Sequence, residues 1–430
     1  MVRSKMGITT YISRIKVRRA FLLFTVTFSI VATILWIKIT NNKTSLDFFY
    51  GTTIDGEDGI IYKHTKNLYT DKPSGVILVT YRRGGSSMLG EILQQSDDVF
   101  YIYEPLRPLY NRLYRLKQPV RWMNGSISAP GTYSLSEVHK QTMDGILTCR
   151  FSILYADVFE EFQFLKYGKK TRAYVECVSN MYLSRHDKLQ DIPSLQKSFK
   201  AGLNEPCVMH LRSMCLNSKI RIIKTVRTPM YMMDPIYENI KSIMDLQVIH
   251  LIRDPRSIVL SASVMWKRFN VVKEVTKPAQ ATCFMLWNDT ITTPHISVPV
   301  MTVYYEDIVT NPVKETIQMY RYVGMDWSNT IVDYAKTLVH NRNLSDCLVC
   351  KTEWHSSKNL ADARNTIGTW KKDLTLKEIS TIQFYCFKTL AYHGYQIFNQ
   401  LQRVNASSKA NTNDESVVNI NAINELPPVP

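Results

Sequence analysis

Several patterns are missing from this 430-residue chain, and each absence narrows what it can do. No Asp-x-Asp triplet occurs, which argues against a metal-dependent glycosyl transferase that would hold its cation that way. The G-x-x-x-x-G-K-[ST] spacing of a Walker loop is absent along with its lysine, which disfavours a P-loop kinase. The Cys347-x-x-Cys350 pair has no second C-x-x-C to complete a zinc site, and no metal is expected. There is no internal repeat. Acid is also short: 37 Asp and Glu stand against 53 Lys and Arg, a net charge of +16, so an anionic partner is expected. Nucleic acid, acidic lipid, a polyanionic glycan and a nucleotide all satisfy charge alone. Hydrophobic residues make up 45% of the chain, enough for a sizeable core. The length admits two or three average domains, or one large α/β domain with flanking tails. The eight cysteines are an even number, which fits disulfides in an oxidising lumen, while their spacing leaves the pairing open.

The N-terminus carries an address. Residues 1–19 hold six basic residues and no acid, and Ala20 to Ile37 then runs eighteen residues without a charge. Such a run is long enough to cross a bilayer, and the basic flank predicts a cytoplasmic N-terminus. No A-x-A-like cleavage site follows, so an uncleaved signal anchor over 20–40 is preferred to a cleaved signal peptide. Sequons headed by Asn42, Asn124, Asn288, Asn343 and Asn405 agree with a luminal remainder, although the motif is loose. Residues 41–73 read as a stem, 74–400 as the catalytic part, and 401–430, rich in Ser, Asn and Pro, as a disordered tail.

The chemistry is concentrated after short apolar runs. Val76 to Val79, led in by Gly75, reads as a buried strand, and Arg82, Arg83, Gly84, Gly85, Ser86 and Ser87 follow before Met88 to Leu93 begins a helix. A strand that turns through Gly and Ser into a helix aims backbone N–H groups and the helix dipole at one point. That is a phosphate cradle in which Arg83 supplies the charge, with plain turn chemistry as the competing reading. Asp98 to Tyr103 reads as a second strand, stopped by Glu104 and Pro105. A carboxylate there lies where open α/β sheets bind ligands, unless it is a helix cap or a surface residue. Val158 to Leu165 reads as an amphipathic helix, and Lys219 to Thr225 alternates charged and apolar residues like a strand with one wet face.

Leu246 to Ile252 is a further buried strand that runs into Arg253, Asp254, Pro255 and Arg256, then a helix from Ser257. Arg253 at the strand end and Ser261 two turns into the helix can grip a second phosphate, against the alternative of a structural Arg–Asp pair. Val300 to Tyr305 forms one more strand, Val313 to Val323 an amphipathic helix and Leu374 to Leu390 a closing helix. Between the last two, the basic segment from Trp354 to Lys372, with Trp354 and Trp370, offers aromatics for a base to stack on, although a solvated loop is the default.

Taken together, these pieces resemble the Golgi carbohydrate sulfotransferases, in particular the branch that sulfates the 6-hydroxyl of galactose, N-acetylgalactosamine or N-acetylglucosamine. Arg83 to Gly90 is similar to that family's R-S-G-S-S-F-x-G loop, and Asp98 to Pro105 to its D-V-F-Y-x-x-E-P. Leu251 to Ser261 resembles its 3'-phosphate motif, Tyr305 to Asp307 its R-Y-E-D element, and Arg364, Asn365 and Trp370 its R-N…W segment. The likeness spans about residues 74–398. Gly84 stands for the usual serine, Met88 for phenylalanine and Tyr304 for arginine, while Arg82 is an added charge. The resemblance implies a P-loop-like three-layer α/β sandwich with a mostly parallel sheet. It implies 3'-phosphoadenosine 5'-phosphosulfate (PAPS) as donor and a glycan or proteoglycan as acceptor, with no nucleic-acid partner and room for a homodimer. Donor contacts are expected at Arg82, Arg83, Gly84, Gly85, Ser86 and Ser87, at Arg253, Asp254, Pro255, Arg256, Ser257 and Ser261, and at Arg364. Glu104 is expected as general base, with Arg83 stabilising the leaving phosphate. A luminal glycosyltransferase and a non-catalytic glycan-binding protein on the same fold are the alternatives.

Overall fold

The computed structural model describes residues 72–129, 131–182, 202, 205–267, 275–340, 344–350 and 363–398. The expected anchor, most of the expected stem, the C-terminal tail, Trp354 and the Asn42, Asn343 and Asn405 sequons lie outside the described residues. Among the described residues, no helix is long and apolar enough to cross a membrane.

Five strands form one sheet: β1 Ser74–Val79, β2 Val99–Tyr103, β3 Ile220–Thr225, β4 Asp245–Ile252 and β5 Val300–Tyr304. Their order is β2-β3-β1-β4-β5 and every pairing is parallel. Parallel strands need crossovers, which here place helices on both faces, so the strands are apolar at both parities. In β1, Ile77 and Val79 enter one core and Val76 and Leu78 the other; in β4, Leu246 and Val248 are separated from Ile249 and Leu251 in the same way.

The longer helices are α1 Ser86–Leu93, α2 Leu135–Leu147, α3 Lys169–Tyr182, α4 Pro206–Leu216, α5 Pro255–Lys267, α6 Thr276–Thr292, α7 Pro312–Val323, α8 Asn329–His340 and α9 Leu376–Tyr392. Buried residues of α2, α3 and α4 belong to the first core, and those of α1, α7 and α8 to the second. The α1 helix approaches β2 closely enough that a Cβ on Gly90 would sit 2.1 Å from the Tyr101 hydroxyl. A third cluster joins α5, α6 and α9 through Val259, Cys283, Ile382 and Cys386. The three-layer α/β arrangement expected from the sequence is therefore present, with a wholly parallel five-stranded sheet.

Two expectations change. The β3 strand lies between β1 and β2 with all six residues buried, so its charges do not face water. Arg221 donates to the carbonyls of Leu147 at 2.6 Å and Cys215 at 3.2 Å, while Lys224 donates to Glu104. The stretch 158–165 is not one helix: Ala156–Glu160 and Phe162–Leu165 are separate, because Glu161 leaves helical geometry (φ −85°, ψ 63°) and meets Arg107 at 3.6 Å. All eight cysteines are paired, as Cys149–Cys215, Cys177–Cys207, Cys283–Cys386 and Cys347–Cys350, so the C-x-x-C is a local disulfide.

Candidate active site

Parallel alignment brings every strand's C-terminal end to one edge. From β1 the chain moves across β3 to β2, and from β3 it crosses β1 to reach β4, so the winding reverses around β1. Such a switch point is where open α/β sheets leave a crevice. The loop after β1 occupies it.

That loop is held in an uncommon shape. Arg83 has φ 71° and Gly85 has φ 94°. Left-handed backbone costs a non-glycine residue roughly 1–2 kcal/mol, so the turn persists only because surrounding contacts fix it. Gly85 is required twice over, since its φ is positive and an added Cβ would lie 2.2 Å from the Tyr305 ring. The N–H of Gly84 donates to the Tyr81 carbonyl at 2.8 Å. The next free N–H groups, of Gly85, Ser86 and Ser87, have no acceptor among the described residues. No side chain caps α1 and no acid occupies its first turn, so its positive end is left for an anion.

The strand-end residues of β4 complete this cradle. Arg253 donates to the Arg83 carbonyl at 2.9 Å and lies 4.0 Å over the Tyr305 ring. Its Nε is buried with no partner among the described residues. The Arg83 guanidinium reaches across to α5, where its Nε donates to the Ser261 hydroxyl at 2.8 Å. Two guanidinium groups and a serine hydroxyl thus meet beside the open N-terminus of α1. Arg253 is only 8% exposed, and an ion held there would be screened little by water.

A second group forms towards β2. Glu104, just past β2, has φ 50°. With Arg83 it makes up two of the four non-glycine residues of positive φ among the described residues, which marks both positions as constrained. Its carboxylate accepts from Lys224 at 2.5 Å and from Arg227. Lys224 also stands 4.1 Å over the Tyr103 ring, and the Tyr103 hydroxyl is bonded to Ser87 at 2.8 Å. These contacts link the carboxylate to α1. Beneath the loop, the Tyr81 hydroxyl meets His250 Nε2 and Asp289 Oδ2, each at 2.9 Å. Burial raises the Asp289 carboxyl to about 6, against the Met230 N–H and Tyr81 bonds that lower it.

The sequence-predicted residues divide accordingly. Arg83, Gly85, Ser86, Arg253 and Ser261 come together. Ser87 offers its N–H, and its hydroxyl shares a bond with that of Tyr103 in which either oxygen can donate. Asp254 and Arg256 pair with each other, and Arg256 also reaches Gln383 and the Gln396 carbonyl and stacks 3.9 Å over Trp370. The structural Arg–Asp reading thus holds for that pair, while Pro255 opens α5 and Ser257 is buried in its first turn. Trp370 is 3% exposed with Arg256 against it, so it is not an open platform for a base. Arg364 lies exposed on the short turn Ala363–Thr366, whose Thr366 bonds the Tyr305 hydroxyl. Arg82 diverges from Arg83: its electrostatic neighbours are Arg227, Glu104 and Arg107. Lys224 and Arg227 were missed; the charge alternation in β3 was a signal for Lys224, and Arg227 lies two residues beyond that strand.

The model of the sulfotransferase domain family matches residues 73–394. The chain is 22% identical to carbohydrate sulfotransferase 2 of Mus musculus over 388 residues, covering 79% of this chain and 68% of that protein. It is 20% identical to carbohydrate sulfotransferase 1 of Danio rerio over 379 residues, covering 82% and 85%. Among solved structures, the sulfotransferase domain of the Synechococcus PCC 7002 olefin synthase aligns at 14% identity and a TM-score of 0.39, covering 75% of this chain and 98% of that one. Mouse sulfotransferase SULT7A1 complexed with PAP aligns at 10% identity and the same TM-score, covering 78% and 89%. With three quarters of its length inside the matched region, from the strand before the cradle to the end of the last helix, the chain belongs to the sulfotransferase domain family.

Proposed function

We propose that this sulfotransferase moves a sulfuryl group from PAPS to a sugar hydroxyl of a glycan, the 6-hydroxyl of galactose, N-acetylgalactosamine or N-acetylglucosamine, and that it works in the Golgi lumen behind a type II membrane anchor. The observation that carries the reading is the meeting of Arg83, Arg253 and Ser261 at the switch point, next to the open N-terminus of α1. The residues fit the donor. Arg253 keeps a buried N–H without an acceptor, and the bare Gly85 lets the Tyr305 ring under Arg253 pack directly against the loop.

PAPS, when bound, supplies the sulfuryl group and departs as the bisphosphate. The N–H groups of Gly85, Ser86 and Ser87, with Arg83, stabilise negative charge growing on the 5'-phosphate side, the preorganised form of transition-state stabilisation. Arg253 and Ser261 hold the 3'-phosphate, and charge-assisted bonds of this kind are about twice as strong as neutral ones. Glu104 takes the proton from the attacking sugar hydroxyl. To do so it releases one of its two cations. Arg227, with 19% of its side chain exposed against 3% for Lys224, is the one free to swing out.

The test is transfer of radiolabelled sulfate from PAPS by the full chain to chondroitin, keratan and N-acetylglucosamine-ended acceptors. Label in one of them is expected. No label together with no PAP binding by calorimetry would overturn the reading and favour a non-catalytic glycan-binding protein.

A further inference from the structure

A buried carboxylate lies under the donor loop, and the chemistry proposed above leaves it unused. Asp289, on α6, accepts the Met230 N–H at 2.8 Å through Oδ1, which fixes its own position. Its Oδ2 accepts from the Tyr81 hydroxyl at 2.9 Å. The hydroxyl has one proton and gives it to the carboxylate, so His250 Nε2, also 2.9 Å away, donates to the phenol oxygen. All three side chains are buried. Among the described residues no cation lies within ion-pair distance of Asp289. The titratable groups around it are Tyr81 from the loop, His250 from β4 and, past α9, His393, whose Nε2 meets Thr290 at 2.9 Å.

Tyr81 is where the loop takes its shape. Its carbonyl accepts the Gly84 N–H at 2.8 Å and closes a turn with Arg82 and Arg83 at the centre. Arg83 takes φ 71° there, a conformation that turns usually give to glycine. Such a residue relaxes unless its neighbours hold it. Beyond the turn, Arg253 holds the Arg83 carbonyl and Ser261 its guanidinium. Before the turn, the hold is the Tyr81 ring, fixed at its far end by Asp289 and His250. A charge-assisted bond is about twice as strong as a neutral one, so an ionised Asp289 grips the loop more firmly than a neutral side chain of its shape. Burial raises the Asp289 carboxyl to about 6, so the unfolded chain accommodates the charged form better than the folded chain does. The charge is kept although it lowers stability, which points to a role in the site.

We propose that Asp289 is a positioning residue for the donor: its negative charge, acting through the Tyr81 hydroxyl, holds the turn that aims Arg83 and the α1 N–H groups at the leaving phosphate. This rests on the sulfotransferase reading and adds to it a group that works from beneath the loop. When the carboxyl takes a proton, the hydroxyl turns round, accepting from Asp289 and donating to His250 Nε2 once that ring carries its proton on Nδ1. The contacts survive in reversed sense, but the charge that made the hold firm is gone. Burial, then His393, lowers His250 to about 3, while burial, then Asp289, raises Tyr81 well above its usual range. Asp289 is therefore the member of the trio that titrates near neutrality.

The experiment measures PAP affinity by calorimetry, and the thermal midpoint, of the full chain from about pH 5 to about pH 8. The proteins compared are the native chain, Asp289→Asn, Tyr81→Phe and the double variant. Asparagine keeps the shape, and it can meet the Met230 N–H through its oxygen and the Tyr81 hydroxyl through its nitrogen. At about pH 7.5, Asp289→Asn is expected to bind PAP about tenfold more weakly while its midpoint stays level or rises. The affinity ratio of native protein to variant should shrink towards one at about pH 5, where the native carboxyl is neutral too. Phosphate groups of PAP also titrate at about pH 6, but that step is common to both proteins and cancels in the ratio. Tyr81→Phe should show a comparable loss at about pH 7.5, and adding Asp289→Asn to it should weaken binding no further, because both act through one hydroxyl. Affinity within about twofold of native in Asp289→Asn, a ratio that does not change with pH, or losses that add in the double variant each overturn the proposal. So does an Asp289→Asn chain that unfolds, or whose midpoint falls in step with its affinity, because Asp289 would then be a structural residue. Failure of the native protein to bind PAP counts instead against the sulfotransferase reading.

Discussion

Neutralising Glu104 tests two roles at once, and they can be separated. The carboxylate is 7% exposed and holds Lys224, itself 2% exposed, at 2.5 Å. Glu104→Gln keeps the shape but leaves the Lys224 ammonium buried without an anion, and breaking a buried pair from one side costs about 3–5 kcal/mol. That loss alone could abolish activity by unfolding the protein. In the double variant Glu104→Gln, Lys224→Met the deeply buried ammonium is gone, and Arg227, with 19% of its side chain exposed, can turn its charge to water. Replacing a buried pair by neutral groups of similar volume is often neutral or stabilising, so stability is expected to return to within about 2 kcal/mol of the native protein. A general base, however, contributes about two to four powers of ten in rate, and no methionine restores it. Urea unfolding followed by sulfate transfer and PAP calorimetry should therefore show a destabilised single variant and a restored double variant, both inactive and both binding PAP. Transfer that returns together with stability would make Glu104 an anchor for Lys224 and remove it from proton transfer.

Other perturbations address the remaining parts of the site. Arg253→Ala removes the buried guanidinium beside Arg83 and should weaken PAP binding by about 10- to 100-fold in calorimetry, the range for hydrogen bonds to charged groups. Gly85→Ala combines a positive φ with a 2.2 Å approach to Tyr305, so PAP binding should be lost and the thermal midpoint lowered; an unaltered midpoint would mean that the loop has another shape. His139 is buried with an unpartnered Nε2, and desolvation, then Arg227, lowers its pKa to about 4 from the usual 6.5. Its folded pKa lies below its unfolded one, so the unfolded chain binds the extra proton and stability falls as pH drops from about 6.5 towards 4. The loss is about 1.4 kcal/mol for each tenfold gap in proton affinity between the unfolded and folded chains. In urea titrations across that range, His139→Leu should show a shallower loss than the native protein, and parallel curves would contradict the assignment.

What was legible in the sequence follows from how far each interaction reaches along the chain. The cradle was readable because its parts are local. An apolar run ends, glycine allows the turn, and Arg83 and the α1 N–H groups are then placed by a few backbone torsions. The same holds for Arg253 and Ser261, one at a strand end and one in the helix that follows it. The partners of Glu104 were not readable, because Lys224 and Arg227 arrive from 120 and 123 positions away. The strand that carries Lys224 was read as half wet because periodicity reports the polarity of side chains, and not what they meet. In β3 the alternating charges are buried, since Arg221 finds two carbonyls and Lys224 finds Glu104. Trp370 failed in the opposite direction: an aromatic in a basic segment suggested an open stacking surface, yet the nearby cation is Arg256, and it occupies that surface itself. A buried charge alternating through a central strand is therefore itself a signal. With no water to face, each such cation implies an anion or a carbonyl elsewhere in the fold, and at the C-terminal edge of a parallel sheet that anion is a candidate for chemistry.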